Sequence, residues 1–272
     1  MKIKELNLIN KKEPIEIKIK DFTISKDNFT VIAGPCTIED YDELLEITQF
    51  LKSIGINFFR GGAYKMRTSP YDFQGLGKKG LEYIKKVSDK TGMVSVSEIV
   101  SVEDVDVMKD YVDILQVGTR NMHNYRLLSK LGKVNNPIIL KRGMSSTIKE
   151  WLFAAEYILH NGNSNVILCE RGIRTFENYT RNTLDISSIP AIKELTNFPI
   201  IVDPSHSSGR RNMIKPLSWA AMAAGADGLL IETHFEPDKT VCDSIQTIDY
   251  KILKEILKPM DSLISLWGKK NA

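Results

Sequence analysis

From Phe29 onward two hydrophobic patterns alternate along the chain. Short apolar, β-branched runs end in a polar residue or glycine, and each is followed by a stretch with apolar positions three and four apart. The runs are FTVIAGPC (29–36), INFFRGG (56–62), MVSVSE (93–98), DILQVGTR (113–120), PIILKRG (137–143), NVILCERG (165–172), PIIVDPSH (199–206) and GLLIETH (228–234), eight in all. Continuous apolar runs are what parallel strands need when helices cover their outer face, whereas a sheet with one face in water alternates. Helical patterns span 41–54, 81–90, 102–111, 125–131, 148–160, 186–195, 212–224 and 245–257, the last ending before Pro259. Eight such units predict a (β/α)8 TIM barrel as one domain over residues 29–272. An open doubly wound sheet usually has fewer strands and a glycine fingerprint, and no GxGxxG is present. Residues 1–28 carry IKELNLI and IEIKIK on either side of residues 10–14, which predicts a short N-terminal β-hairpin extension plugging the lower mouth.

Composition narrows the function classes. With 272 residues, 42% hydrophobic and 26% charged, the chain has the makeup of an ordinary folded protein. Lys and Arg number 37 against 34 Asp and Glu, a net charge of +3, so no basic excess points to nucleic acid as a partner. Three cysteines without CxxC spacing predict reduced thiols and a cytoplasmic protein. Residues 1–20 lack the apolar run of a signal peptide, and no stretch reaches the roughly 18 apolar residues of a membrane span, so no membrane association is expected.

The candidate chemistry lies where the strands end. Cys36, Arg60, Glu98, Arg120, Lys141, Glu170 with Arg171, His206 and Glu232 follow strands one to eight in that order, and in this fold those positions converge on one mouth. Strands one, seven and eight are neighbours in a closed barrel, so Cys36, His206 and Glu232 can meet Asp243 from the loop beyond the last strand. One thiolate, one imidazole and two carboxylates suit a divalent transition ion such as Zn²⁺, Mn²⁺ or Fe²⁺. Arg60, Lys65, Arg67, Arg120, Lys141, Arg142, Arg171 and Arg174 fall in segments facing the same mouth, too many cations for one carboxylate. They imply substrates carrying more than one phosphate or carboxylate group. The polar loop 61–77, with Lys65, Arg67, Thr68 and Ser69, looks like an anion cradle, and Ser207, Ser208, Arg210 and Arg211 offer a second. His123, His160 and His234 read as structural.

AGPC with Glu39, RGGAYKMRTSP followed by FQGLG, QVGTRNMHN, LKRG, CERGIRT, DPSHSSGRR and IETH with CD resemble the 3-deoxy-D-arabino-heptulosonate 7-phosphate (DAHP) synthase family, in order from about Thr30 to Ile248. The likeness is to its compact branch, which is related to 3-deoxy-octulosonate 8-phosphate synthase. It implies a metal-dependent condensation of phosphoenolpyruvate with erythrose 4-phosphate, the first step of the shikimate route. The resemblance places metal ligands on Cys36, His206, Glu232 and Asp243, for Mn²⁺, Fe²⁺, Zn²⁺ or Co²⁺. It places phosphoenolpyruvate on Arg60, Lys65, Arg120, Lys141 and Arg171, and the aldose phosphate on Arg67, Thr68 and Ser69. Met66 stands where the family commonly has proline.

As catalytic groups beside His206, Lys65 and Lys141 are the candidates for proton delivery, on the expectation that crowding by cations lowers a lysine pKa. Glu98 is the candidate for positioning water. The ion would polarise the aldehyde oxygen or orient that water. The nearest alternative is the octulosonate phosphate synthase with arabinose 5-phosphate, which a KANR element marks and RTSP disfavours. Further alternatives are a Schiff-base aldolase with Lys141 as nucleophile and a phosphosugar-binding barrel without turnover. The resemblance also implies a homo-oligomer, with a tetramer as the expected form. Twenty-eight leading residues are too few for a ferredoxin-like or mutase domain, so insensitivity to phenylalanine and tyrosine is expected.

Overall fold

The structure, a computed structural model, describes residues 6–9 and 15–272. A hairpin of β1 (Ile17–Ile19) and β2 (Phe22–Ile24) precedes eight parallel strands: β3 (Asn28–Gly34), β4 (Phe58–Arg60), β5 (Val94–Ile99), β6 (Ile114–Val117), β7 (Ile138–Lys141), β8 (Val166–Glu170), β9 (Ile200–Val202) and β10 (Gly228–Glu232). Each strand pairs with the next, and β10 closes the ring on β3, with Gly228 opposite Thr30 and Glu232 opposite Gly34. The helices are α1 (Tyr41–Ser53), α2 (Lys78–Thr91), α3 (Val105–Met108), α4 (Tyr125–Leu131), α5 (Ile148–His160), α6 (Ser188–Leu195), α7 (Pro204–Ser208), α8 (Arg211–Ala223), α9 (Tyr250–Leu257) and α10 (Met260–Ser265). A last strand, β11 (Lys270–Asn271), pairs with the base of β3. The TIM barrel read from the eight apolar runs is therefore the fold.

Two hydrophobic cores follow from strand alternation. Outward residues such as Val31, Phe59, Leu115, Leu140, Leu168 and Leu229 pack under the helices. Inward residues Ile32, Phe58, Val94, Val96, Ile114, Ile139, Ile167, Cys169, Ile201 and Leu230 pack with Ile17, Ile19 and Ile24 of the hairpin, so the hairpin plugs the lower end. Lys20, at the hairpin turn with φ 52°, latches this plug: its Nζ donates to Ser88 Oγ at 2.6 Å and to Met93 O at 2.8 Å, and lies 2.9 Å from Asp113 Oδ2.

Several boundaries differ from the sequence expectation. The hairpin partner of Ile17–Ile19 is FTI of β2, because a two-residue turn places Ile19 opposite Phe22. Residues 3–5 of the expected first strand and its 10–14 connection lie outside the described residues. Leu6 and Ile9 are buried, and the amides of Asn7, Leu8 and Ile9 donate to the Glu156 carboxylate on α5. The helix expected over 102–111 narrows to α3, flanked by three-residue turns such as Asp110 N to Val107 O. The last barrel helix starts at Tyr250, since Ile248 bridges to Thr233 and Asp249 caps the helix through Ile252 N. Residues 204–206, the end of the seventh run, leave the strand and with Ser207 and Ser208 form α7. Among the described residues no helix is long and apolar enough to cross a membrane.

Candidate active site at the upper mouth

Counting by two from the inward core residues gives the side chains that reach the upper mouth: Phe58 leads to Arg60, Val96 to Glu98, Ile114 to Gln116, Ile139 to Lys141, Cys169 to Arg171, Ile201 to Asp203 and Leu230 to Glu232. The same count turns Arg142 and Glu170 outward. There Arg142 Nη1 lies 2.9 Å from Glu170 Oε2 and 2.8 Å from Asp185 Oδ2, so these two residues brace the wall and do not face the mouth. Arg174 is exposed on the loop beyond Arg171 and does not line the central cavity.

The four expected metal ligands do meet. One ligand atom from each of Cys36, His206, Glu232 and Asp243 lies within 4.8 Å of the others. Cys36 Sγ is 3.0 Å from Asp243 Oδ2, and His206 Nε2 is 3.1 Å from Glu232 Oε1 and 4.0 Å from Asp243 Oδ2. Asp243 is held at φ 57°, a left-handed conformation that aspartate tolerates better than most residues and that turns its carboxylate back toward Cys36 and His206. One soft and three harder donors, with His206 Nδ1 2.7 Å from the buried Asp203 Oδ2, form the carboxylate–histidine arrangement that orients an imidazole toward an ion. The donor set therefore fits a divalent transition metal.

The charges around this centre are strongly coupled. Burial pushes the Cys36 thiol well up, with Cys242 and Glu232 adding to it. Burial alone would lower His206, but the carboxylates of Asp203 and Glu232 outweigh it and raise the imidazole to about 10. Glu232 is held well below the usual carboxylate range: burial opposes this, but His206 and Arg60 prevail, with Arg60 Nη1 2.7 Å from Oε1. Asp203 is likewise held far down by His206 and Lys141 against its burial. Lys65 runs opposite to the sequence expectation. Burial would lower it, but Cys36, Glu98 and Glu232 outweigh both burial and Arg60, so its ammonium is stabilised.

A cavity of about 180 Å³ opens above the cluster, and His206 and Asp243 face it together with Lys65, Arg67, Thr68, Glu98, Arg120, Lys141 and Arg171. Arg60 does not reach its wall; it lies buried behind Glu232. Ser69 is also off the wall, its Oγ accepting from Tyr71 N at 3.3 Å. Arg120 ties the cradle loop to the mouth by donating to Met66 O at 3.1 Å and Thr68 Oγ1 at 3.4 Å. Lys141 Nζ lies 2.6 Å from Asp203 Oδ2, and a Schiff-base nucleophile would have to give up that buried pair. The second expected anion cradle is not assembled. Ser207 and Ser208 donate their hydroxyls to Pro204 O inside α7, which Asp203 caps, and Arg211 is taken by Asp238 and Ser244 O.

Sequence reasoning missed Asp203, Gln116, Gln246 and Arg181. The period-two count would have found the first two. Gln246 Nε2 donates to Glu232 Oε2 at 2.6 Å from the loop after β10, and nothing in its spacing announces this. Arg181 lines the cavity from the polar 171–187 segment, which has the same lack of periodicity that drew attention to 61–77.

Comparison with known proteins is consistent with this geometry. The DAHP synthetase I family profile matches residues 10–266. Phospho-2-dehydro-3-deoxyheptonate aldolase of Thermotoga maritima is 50% identical over 258 residues, covering 95% of this chain and 76% of that protein. A 2-dehydro-3-deoxyphosphooctonate aldolase of Geobacter sulfurreducens is 32% identical, covering 92% of this chain and 98% of that protein. The crystal structure of the Thermotoga maritima DAHP synthase superposes with a TM-score of 0.92 over 95% of this chain and 76% of that one. A truncated form of 3-deoxy-D-arabino-heptulosonate 7-phosphate synthase from the same organism, 47% identical, gives 0.88 over 95% of both chains.

Proposed function

The chain belongs to the DAHP synthetase I family, and from that membership and the assembled mouth we infer its activity. It is a DAHP synthase, condensing phosphoenolpyruvate with erythrose 4-phosphate in the shikimate pathway. The observation that carries this reading is the gathering of Cys36, His206, Glu232 and Asp243 beneath a cavity lined by Lys65, Arg67, Arg120, Lys141 and Arg171.

We assign Cys36, His206, Glu232 and Asp243 to a divalent Mn²⁺, Fe²⁺, Zn²⁺ or Co²⁺ ion, which when bound supplies Lewis acidity toward an oxygen of the substrate or of water. Lys65, Arg120, Lys141 and Arg171 bind the carboxylate and phosphate of phosphoenolpyruvate, with Arg60 acting from behind through Glu232. Arg67, Thr68 and Ser69 belong to the aldose phosphate end. The attack of C3 on the aldehyde carbon leaves positive character at C2, to which water adds before phosphate departs. Glu98 positions that water. Lys141 remains the proton donor of this scheme; Lys65, whose ammonium is stabilised, is too weak an acid for that role and serves as a fixed positive charge for phosphoenolpyruvate.

The same reading divides the chain into an extension, 1–28, and a catalytic barrel, 29–272. It places the protein in the cytoplasm, supported by three free cysteines. It also makes the protein a homo-oligomer, with a tetramer as the proposed form, supported by the exposed, stacked Tyr125 and Tyr157 rings on the outer wall.

The decisive assay is phosphate release from phosphoenolpyruvate with erythrose 4-phosphate against arabinose 5-phosphate, with and without chelator. Turnover is expected with the four-carbon sugar, at least about 10-fold better than with the five-carbon one, and its loss on chelation. Preference for arabinose 5-phosphate, or chelator-insensitive turnover, would overturn the assignment. Glu98 has its own test. A Cβ on Gly118 would lie 2.0 Å from Glu98 Oε1, so Gly118→Ala must displace that carboxylate. We expect kcat to fall about 100-fold with an unchanged circular dichroism spectrum. A variant with wild-type kcat would show that the placement of Glu98 is immaterial.

A further inference from the structure

We propose that Arg181 binds the phosphate of the aldehyde substrate, sharing it with Arg67 and Thr68. The inference rests on the DAHP synthase reading above and adds to it a cation that neither the family motifs quoted earlier nor strand order single out.

The stem of Arg181 is placed by the backbone beneath it. Its amide donates to Ser208 O at 2.9 Å, and its Cβ and Cγ lie over Gly209, where an added Cβ would come within 2.9 Å of Arg181 Cβ. Gly209 also sits at φ 64°, so the position is closed to larger residues on two counts. The guanidinium at the end of this fixed stem is under-used. Its hydrogen bond is a long one, Nη1 to Gln246 Oε1 at 3.4 Å, and its nearest carboxylate oxygen, Asp243 Oδ1, is 3.9 Å away. The side chain is 45% exposed and borders the cavity. Two of the deep arginines behave differently, since Arg60 and Arg142 have carboxylates at 2.7 and 2.8 Å.

Charge counting then assigns the ligand. Phosphoenolpyruvate, with a carboxylate and a phosphate, takes the deeper cations. At the rim, Arg67 is already paired with Asp72 at 3.2 Å and the exposed Arg120 is engaged by Met66 O and Thr68 Oγ1, so neither is wholly free to meet the aldose phosphate. A dianionic phosphate needs more, and Arg181 offers donors in a fork suited to phosphate oxygens.

The test uses the metal-loaded enzyme and the variants Arg181→Ala and Arg181→Lys. We expect KM for erythrose 4-phosphate to rise about 10- to 100-fold in Arg181→Ala and less in Arg181→Lys. KM for phosphoenolpyruvate and metal affinity, read by competition with a chromogenic chelator, are expected to stay within about threefold. With unphosphorylated erythrose at high concentration, wild type and variant should turn over alike. An unchanged KM for erythrose 4-phosphate, or a loss that tracks metal affinity through Asp243, overturns the inference. If wild-type enzyme fails to turn over erythrose 4-phosphate in this assay, the functional reading itself falls.

Discussion

Metal-stripped protein titrated with Zn²⁺ or Mn²⁺ at pH 7 is expected to release two protons per ion, and its affinity to climb about 100-fold for each pH unit near neutrality. The Cys36 thiol is pushed well above its ordinary value and His206 is raised to about 10, so both carry protons at pH 7 and both must lose them to become ligands. Glu232, held well down, is already ionised and gives up none. Stability moves in the opposite sense. A histidine raised on folding contributes fully below its unfolded value of about 6.5, and that contribution is lost as pH rises through the folded value. The metal-free fold should therefore weaken between pH 6.5 and 10, and the loaded form, with its imidazole already deprotonated, should not share this loss. A pH-indicator titration measures the release directly. Cys36→Ala should release one proton and lose more affinity than the about 10- to 100-fold typical of outer partners. A flat pH profile would exclude these two side chains as ligands.

Asp203→Asn should be the most damaging conservative change in the barrel. Asp203 is buried; its Oδ2 accepts from Lys141 Nζ at 2.6 Å and faces His206 Nδ1 at 2.7 Å, while Oδ1 accepts the His206 amide at 2.9 Å and so starts α7. An amide cannot neutralise Lys141, and its nitrogen would confront one donor at the Oδ1 position or two at the Oδ2 position. Leaving one buried charge unpaired costs about 3–5 kcal/mol. Releasing the His206 ring should cost about 10- to 100-fold in metal affinity. Thermal unfolding of the stripped and loaded variant, with metal titration, separates the two effects. Wild-type affinity in a folded Asp203→Asn variant would show that the His206 ring is oriented by something else.

The fold was legible because eight buried parallel strands leave eight apolar runs, and the strand ends named Cys36, His206 and Glu232, with Asp243 coming from the loop beyond the last. What failed was phase. Lys141 and Arg142, or Glu170 and Arg171, are adjacent residues after runs buried on both faces, and no polar partner in the sequence says which of each pair points inward. One step along a strand exchanges the cavity for the wall. The interior apolar residues settle it: Ile139 and Cys169 put Lys141 and Arg171 inside. Gln246 and Arg181 were hidden for another reason, since they reach the centre from irregular loops whose course only tertiary packing decides. The hairpin was foreseen but its second strand was not, because IKELNLI is a longer apolar segment than FTI and the tight turn at Lys20 outweighs that advantage.

The hairpin also governs traffic. With Ile17, Ile19 and Ile24 filling the lower end of the barrel, the reaction chamber is a cul-de-sac. Lys141 and Arg171 sit deep and almost wholly buried, while Thr68 stands exposed at the rim. Among the described residues the plug closes the floor beneath Lys141 and Arg171, so a ligand coming past Thr68 that settles deep leaves the rim for the one that follows.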